Sequence, residues 1–123
     1  GLSFHDLTKF LNAFVNVGFP PSYKNKTELR EWIEKLLDFL RMIAGKTKNE
    51  FDNQMVILLD AVVTDDEAWD AFYDLLNMLV ERTASITMAS PAIQLLEEKT
   101  GFDPALIMEI VRKIVKLLDW FSG

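Results

Sequence analysis

Residues 47–81 read TKNEFDNQMVILLDAVVTDDEAWDAFYDLLNMLVE, and this stretch decides the fold class. It holds two capping-box patterns, Thr47 with Glu50 and Thr64 with Glu67. In such a box the threonine hydroxyl accepts a first-turn amide while the acid three residues later reaches back to the start. Behind the first box come Phe51, Met55, Leu58, Leu59 and Val62, and behind the second come Trp69, Phe72, Tyr73, Leu76, Leu79 and Val80. Steps of three and four place each set along one side of a helix, whereas a strand would alternate at every second residue. The stretch therefore predicts two successive helices joined by a tight turn.

The same signals extend outward in both directions. Upstream, Ser3 with Asp6 makes a similar start, and Phe4, Leu7, Leu11 and Phe14 supply a stripe for a helix over 3–16. Gly18 and Pro20-Pro21 end it, since proline lacks an amide proton and disfavours helix in the residue before it. A second helix opens at Asn25 or Thr27 and carries Leu29, Trp32, Ile33, Leu36, Leu37, Leu40 and Ile43 to an expected stop at Gly45. Downstream, residues 83–89 are small and polar and read as the longest linker. Ser90-Pro91 and Asp103-Pro104 each pair a cap residue with a first-turn proline, opening two more helices. The last of these, over 104–121, is apolar around most of its circumference through Leu106, Ile107, Ile110, Val111, Ile114, Val115, Leu117, Leu118 and Phe121.

The expected fold is all-α, a compact bundle of five to six antiparallel helices in one domain over 1–123, with 83–89 linking the first four helices to the last two. Three stacked helical hairpins are the alternative. The second helix of each pair would start near Thr27, Thr64 and Asp103, a spacing of about 37 residues that falls within the range of helical repeats.

The chain has 123 residues, 50% hydrophobic and 26% charged, the balance of one globular domain. At this size about two-thirds of the unfolded surface can be buried, so a core forms without staples. No apolar run is long enough to span a bilayer. Nineteen acidic against thirteen basic residues give a net charge of -6, which argues against general nucleic-acid binding. Cysteine is absent, which excludes disulfides and thiolate metal sites. The lone histidine, His5, removes the imidazole pairs on which most zinc and acid–base sites depend. No cofactor is expected. Gly1-Leu2-Ser3, without an initiator Met, reads as a trimmed or processed start, and the expected compartment is the cytoplasm.

Charge is unevenly distributed. Residues 49–81 hold nine acids and no base, so this third carries -9 and the remainder +3. Asp66, Asp70 and Asp74 are spaced by four and share a helix face. Such a row can receive a basic partner, or with Asp65 and Glu67 a divalent cation through oxygen ligands. First-turn acids also complement the helix dipole with no ligand at all. On the final helix, Arg112, Lys113 and Lys116 precede Trp120, a combination that resembles an interfacial amphipathic helix. The stronger reading of that helix is a central core position, with contact to a second copy or to a membrane as alternatives.

Other patterns carry less. Ala44-Gly45-Lys46-Thr47 resembles the end of a phosphate loop, but Leu40 stands where the first glycine belongs and a helix precedes it. Pro20-Pro21-Ser22-Tyr23 matches the short pattern read by WW domains, and equally suits a stiff loop with Tyr23 folded onto the bundle. His5 beside Asp6 has no marked nucleophile to serve and reads as a surface residue. Phe4, Phe10, Phe14, Phe39, Phe72 and the three tryptophans are core at helical spacing, or else the lining of an apolar cavity.

The expected function is a non-catalytic interaction or assembly domain that binds a protein partner or another copy of itself. Its surfaces would be the acidic face of the fourth helix (Asp66, Asp70, Asp74) and the strip of the last helix around Arg112, Lys113, Lys116 and Trp120. A helical module for an apolar ligand or lipid is one alternative, and an enzyme using carboxylates and a divalent metal is another.

Overall fold

The computed structural model describes residues 3–46, 50–81 and 90–122. They form six helices and no strand: α1 (Phe4–Val17), α2 (Lys26–Lys46), α3 (Glu50–Thr64), α4 (Asp66–Glu81), α5 (Pro91–Thr100) and α6 (Pro104–Ser122). The fold is an all-α helical bundle. The linker expected over 83–89, and the Thr47 to Asn49 part of the first capping box, lie outside the described residues.

Most helix ends follow the cap chemistry in the sequence. The Asp6 amide donates to Ser3 Oγ (3.1 Å) at the start of α1. Asn25, rather than Thr27, caps α2, its Oδ1 accepting the Glu28 amide at 3.2 Å. Asp103 Oδ1 accepts from the Ala105 amide (2.8 Å) beside the first-turn Pro104 of α6. Gly101 ends α5 in the left-handed region (φ 73°), where its N–H donates to the Glu97 carbonyl at 2.7 Å.

Two expected boundaries shift. α2 runs through Gly45 to Lys46, and Gly45 is not among the positive-φ glycines, so it serves as an ordinary helical residue. The box at residue 64 moves on by one. Asp65 Oδ1 accepts the Ala68 amide (3.1 Å) and caps α4, while the Thr64 hydroxyl donates backward to the Asp60 carbonyl (2.7 Å) inside α3.

Packing runs along the chain and then folds back. α1 packs extensively on α2 alone, α2 on α3, and α3 on α4, while α5 and α6 pack on α4 and on each other. The core is apolar throughout, with Leu29, Ile33, Leu58, Leu59, Phe72, Leu76, Ile93, Leu96, Ile107 and Ile110 fully buried. Among the described residues no polar or charged side chain is buried, so the core carries no desolvated charge to be compensated. The sequence favours a central place for the last helix, but α4 packs on three helices (α3, α5 and α6), while α6 buries one side against α4 and α5 through Ile107, Met108, Ile110, Val111 and Ile114, and its last turn leaves the core, Trp120 being 73% exposed.

Arg30 joins α2 to the turn between α3 and α4. Its Nε and Nη2 both donate to the Val63 carbonyl (3.1 and 2.8 Å), one of the helix-end acceptors that α3 leaves without an amide. Its Nη1 reaches Asp66 at 2.9 Å, and its guanidinium lies 5.9 Å from the Trp69 ring centre. A lysine cannot reproduce the fork onto Val63. Arg30→Lys is therefore expected to cost on the order of 1–2 kcal/mol. Asp66→Asn, at a carboxylate 91% exposed, is expected to cost less than about 0.5 kcal/mol. Urea unfolding of the two variants measures both.

Candidate apolar recognition groove

α1 has three faces rather than two. At 100° per residue, Phe10, Ala13 and Val17 fall on one side, and that side meets α2. The Phe10 and Phe39 rings lie 5.0 Å apart there, and Val17 is buried. His5, Thr8, Lys9, Asn12 and Asn16 form a polar side. Between the two runs a second apolar arc of Phe4, Leu7, Leu11, Phe14 and Val15. Phe4 is 84% exposed, Val15 74% and Leu11 53%. The stripe that the spacing predicts to be buried is thus largely uncovered. Phe14, on the border of the arc, meets α2 with its ring edge-on to Phe39 at 5.8 Å.

α1 and α2 are antiparallel, pinned at both ends. At one end Lys46 Nζ reaches Asp6 at 3.1 Å. At the other, the Trp32 indole N–H donates to the Gly18 carbonyl at 3.1 Å. Gly18 holds φ 68°, ψ -176°, a backbone state that favours glycine, and it turns the chain out of α1 with Phe19 directed outward. Phe19 is 84% exposed and touches the Phe121 ring of α6 edge-on at 5.7 Å.

These placements leave a recess of about 420 Å³ with three walls. Phe14, Val15 and Val17 come from α1, Trp32, Leu36, Phe39 and Leu40 from α2, and Leu117, Trp120 and Phe121 from α6. Gly18 and Phe19 close one end. No titratable side chain lines it, so its chemistry is that of an apolar surface able to exclude water. The volume lies toward the lower end of small-ligand pockets, roughly 300–1,000 Å³. A second hollow is lined by Phe10, Met42 and Gly45 together with Asp6, Lys9, Arg41 and Lys46, and the chain's own ion pairs already engage Asp6, Arg41 and Lys46.

The residues singled out in the sequence separate into three groups. Trp120 joins the recess. Arg112, Lys113 and Lys116 are exposed on α6 and make no ion pair among the described residues, with Lys113 one turn before Leu117 and Lys116 one turn before Trp120. The acidic row of α4 is partly engaged within the chain: Asp66 pairs with Arg30 and Asp70 with Lys26, while Asp74 is exposed. Lys26 and Arg30 are spaced by four on α2, the same interval as Asp66 and Asp70 on α4, and this matched spacing was visible in the sequence. Among the described residues, no group of three His, Asp or Glu side chains is placed to hold a metal ion. His5 is exposed, and its neighbour Asp6 turns to Lys46. Tyr23 packs on the core, as expected for a stiff loop. Phe19, a loop aromatic without periodicity, and Val15 were not singled out.

Among the described residues no helix is long and apolar enough to cross a membrane. Comparison with protein-family models, with curated proteins and with solved structures finds no match to this chain.

Two surface ion pairs among the described residues displace the titration of Asp6, Asp65 and Lys99. Lys99 donates to Asp65 at 2.8 Å and, with the Ala68 amide, holds the Asp65 carboxyl below its ordinary value. Asp6 is lowered by Lys46 and then by Ser3. Lys99 moves upward because of Asp65. A carboxylate depressed in the folded state contributes stability above its unfolded pKa, near pH 4, and loses it as the pH falls through the lower folded value. Asp65→Asn is therefore expected to flatten the acid limb of the stability curve below about pH 4. Urea midpoints measured between neutral and strongly acidic pH test this, and an unchanged limb would remove Asp65 as a contributor.

Proposed function

We propose that this chain is a non-catalytic interaction module whose recognition surface is the α1–α2–α6 groove together with the outward arc of α1. One observation carries the reading: an apolar arc of α1 with no covering helix runs directly into an apolar recess whose far wall is the exposed end of α6. Monomers seldom leave a contiguous apolar patch of more than a few hundred Å² in water, because each buried Å² is worth about 25 cal/mol. The absence of titratable groups from the lining supports binding over acid–base chemistry. This reading keeps the apolar strip of the last helix as a contact surface and moves its centre from Lys113 and Lys116 to Leu117, Trp120 and Phe121. The acidic row of α4 becomes secondary, since two of its three carboxylates already hold cations of α2.

A fluorescent apolar probe such as ANS tests the groove at low protein concentration. The 123-residue chain is expected to bind it, and Val15→Asp with Trp120→Asp is expected to weaken binding at least about tenfold. Both side chains are more than 70% exposed, so the double variant retains its helical circular dichroism. Equal binding by the variant, or no binding by the wild-type chain, overturns the proposal.

A further inference from the structure

We infer that the occupant of the groove is a second copy of this chain, related by a two-fold axis that brings the two α1 faces and α6 ends together. The inference rests on the groove being a recognition surface, and three observations lead from there to a copy.

The first is area. Phe4, Phe14, Phe19 and Trp120 are 48–84% exposed. At roughly 200 Å² for an aromatic side chain they show on the order of 600 Å² to water. Leu7, Leu11 and Val15 bring the patch toward about 800 Å², what each partner contributes to a stable interface of standard size. A small ligand in the recess would cover the α2 floor and leave Phe4, Leu7 and Leu11 in water, because none of them lines it.

The second is shape. A two-fold interface uses one patch on both sides, so that patch must present both projections and a receiving hollow. This one does: Phe4 and Val15 project from α1 and Trp120 from α6, and the 420 Å³ recess lies between the two helices. A projecting aromatic of one copy entering the recess of the other is repeated by symmetry, so each contact forms twice.

The third is charge. A chain of net -6 repels its copy unless its acids are held apart. The nine acids without a base lie in residues 50–81, on α3, α4 and the cap residue between them, and α2 stands between α1 and α3 in the order of packing. α1 carries one acid, Asp6, already paired with Lys46. Association through α1 therefore keeps the two acidic layers on outer sides.

Light scattering coupled to size exclusion, from low to high micromolar concentration, reads the outcome. The 14.1 kDa chain is expected to reach twice that mass with rising concentration. Trp120 is the exposed tryptophan, Trp32 and Trp69 being buried, so the red part of the emission should shift to the blue over the same range. Val15→Lys with Phe19→Ser should raise the dissociation constant at least about 100-fold, as loss of central interface contacts does. Ile57→Lys, at an exposed apolar residue of α3 away from the face, should leave it unchanged. A chain that stays at 14.1 kDa throughout overturns the second copy. If that monomer still binds ANS in a Val15-dependent way, the groove reading stands with a different occupant, and if it does not, both fall. A dimer that survives Val15→Lys with Phe19→Ser also overturns the inference.

Discussion

The hydrogen bond from the Trp32 indole to the Gly18 carbonyl sets the geometry on which the candidate site depends. A tryptophan buried to this degree needs a partner for its N–H, and the carbonyl at the end of α1 is the one within reach. Satisfying it fixes where α1 stops along α2, and the positive φ of Gly18 then turns Phe19 toward α6. The floor, the end wall and the mouth of the recess follow from that junction. With Asp6 and Lys46 joined at the opposite end, α1 is held along its length without being covered on its far side.

Charge organises the other half of the molecule. The acids of α4 serve local needs first: Asp65 caps its own helix and holds Lys99 of α5, Asp66 completes the fork of Arg30, and Asp70 meets Lys26. These pairs are exposed and individually weak. Together they tie α2 and α5 to the start of α4, around a core that contains no ionised group among the described residues. Polar interactions thus determine how the helix ends meet, while apolar burial provides the driving force.

The helices were readable because caps and periodicity are local, each needing only residues within a turn or two. The errors are equally local. At 64 and 65 two adjacent residues can both cap, and the competing bond from Thr64 to Asp60 settles it in favour of Asp65. At Gly45 the backbone keeps a helical conformation, and the helix runs on to Lys46. The groove was not readable in the same way. Periodicity finds the apolar residues of α1 but cannot say which arc meets α2, because eight apolar positions from Phe4 to Val17 span more circumference than one helix can cover. Phe10, Ala13 and Val17 face inward because Phe39 and Trp32 fit against that side, a choice made by residues more than a dozen positions away. Trp120 stood out from composition, whereas its neighbour in the recess, Phe19, sits in a loop with no period to reveal it.

Because α1 rests on a single helix, its first turns form a unit that can open while the rest of the core stays closed. Stability in a folded chain is graded, and segments with one packed side occupy the lower end of the scale. Whatever settles on the outer arc of α1 binds only the closed form, so occupancy raises the free energy of opening by mass action. An occupant of the proposed groove would therefore link association to the folding of this helix, and amide exchange along α1 would report how much of the chain is bound.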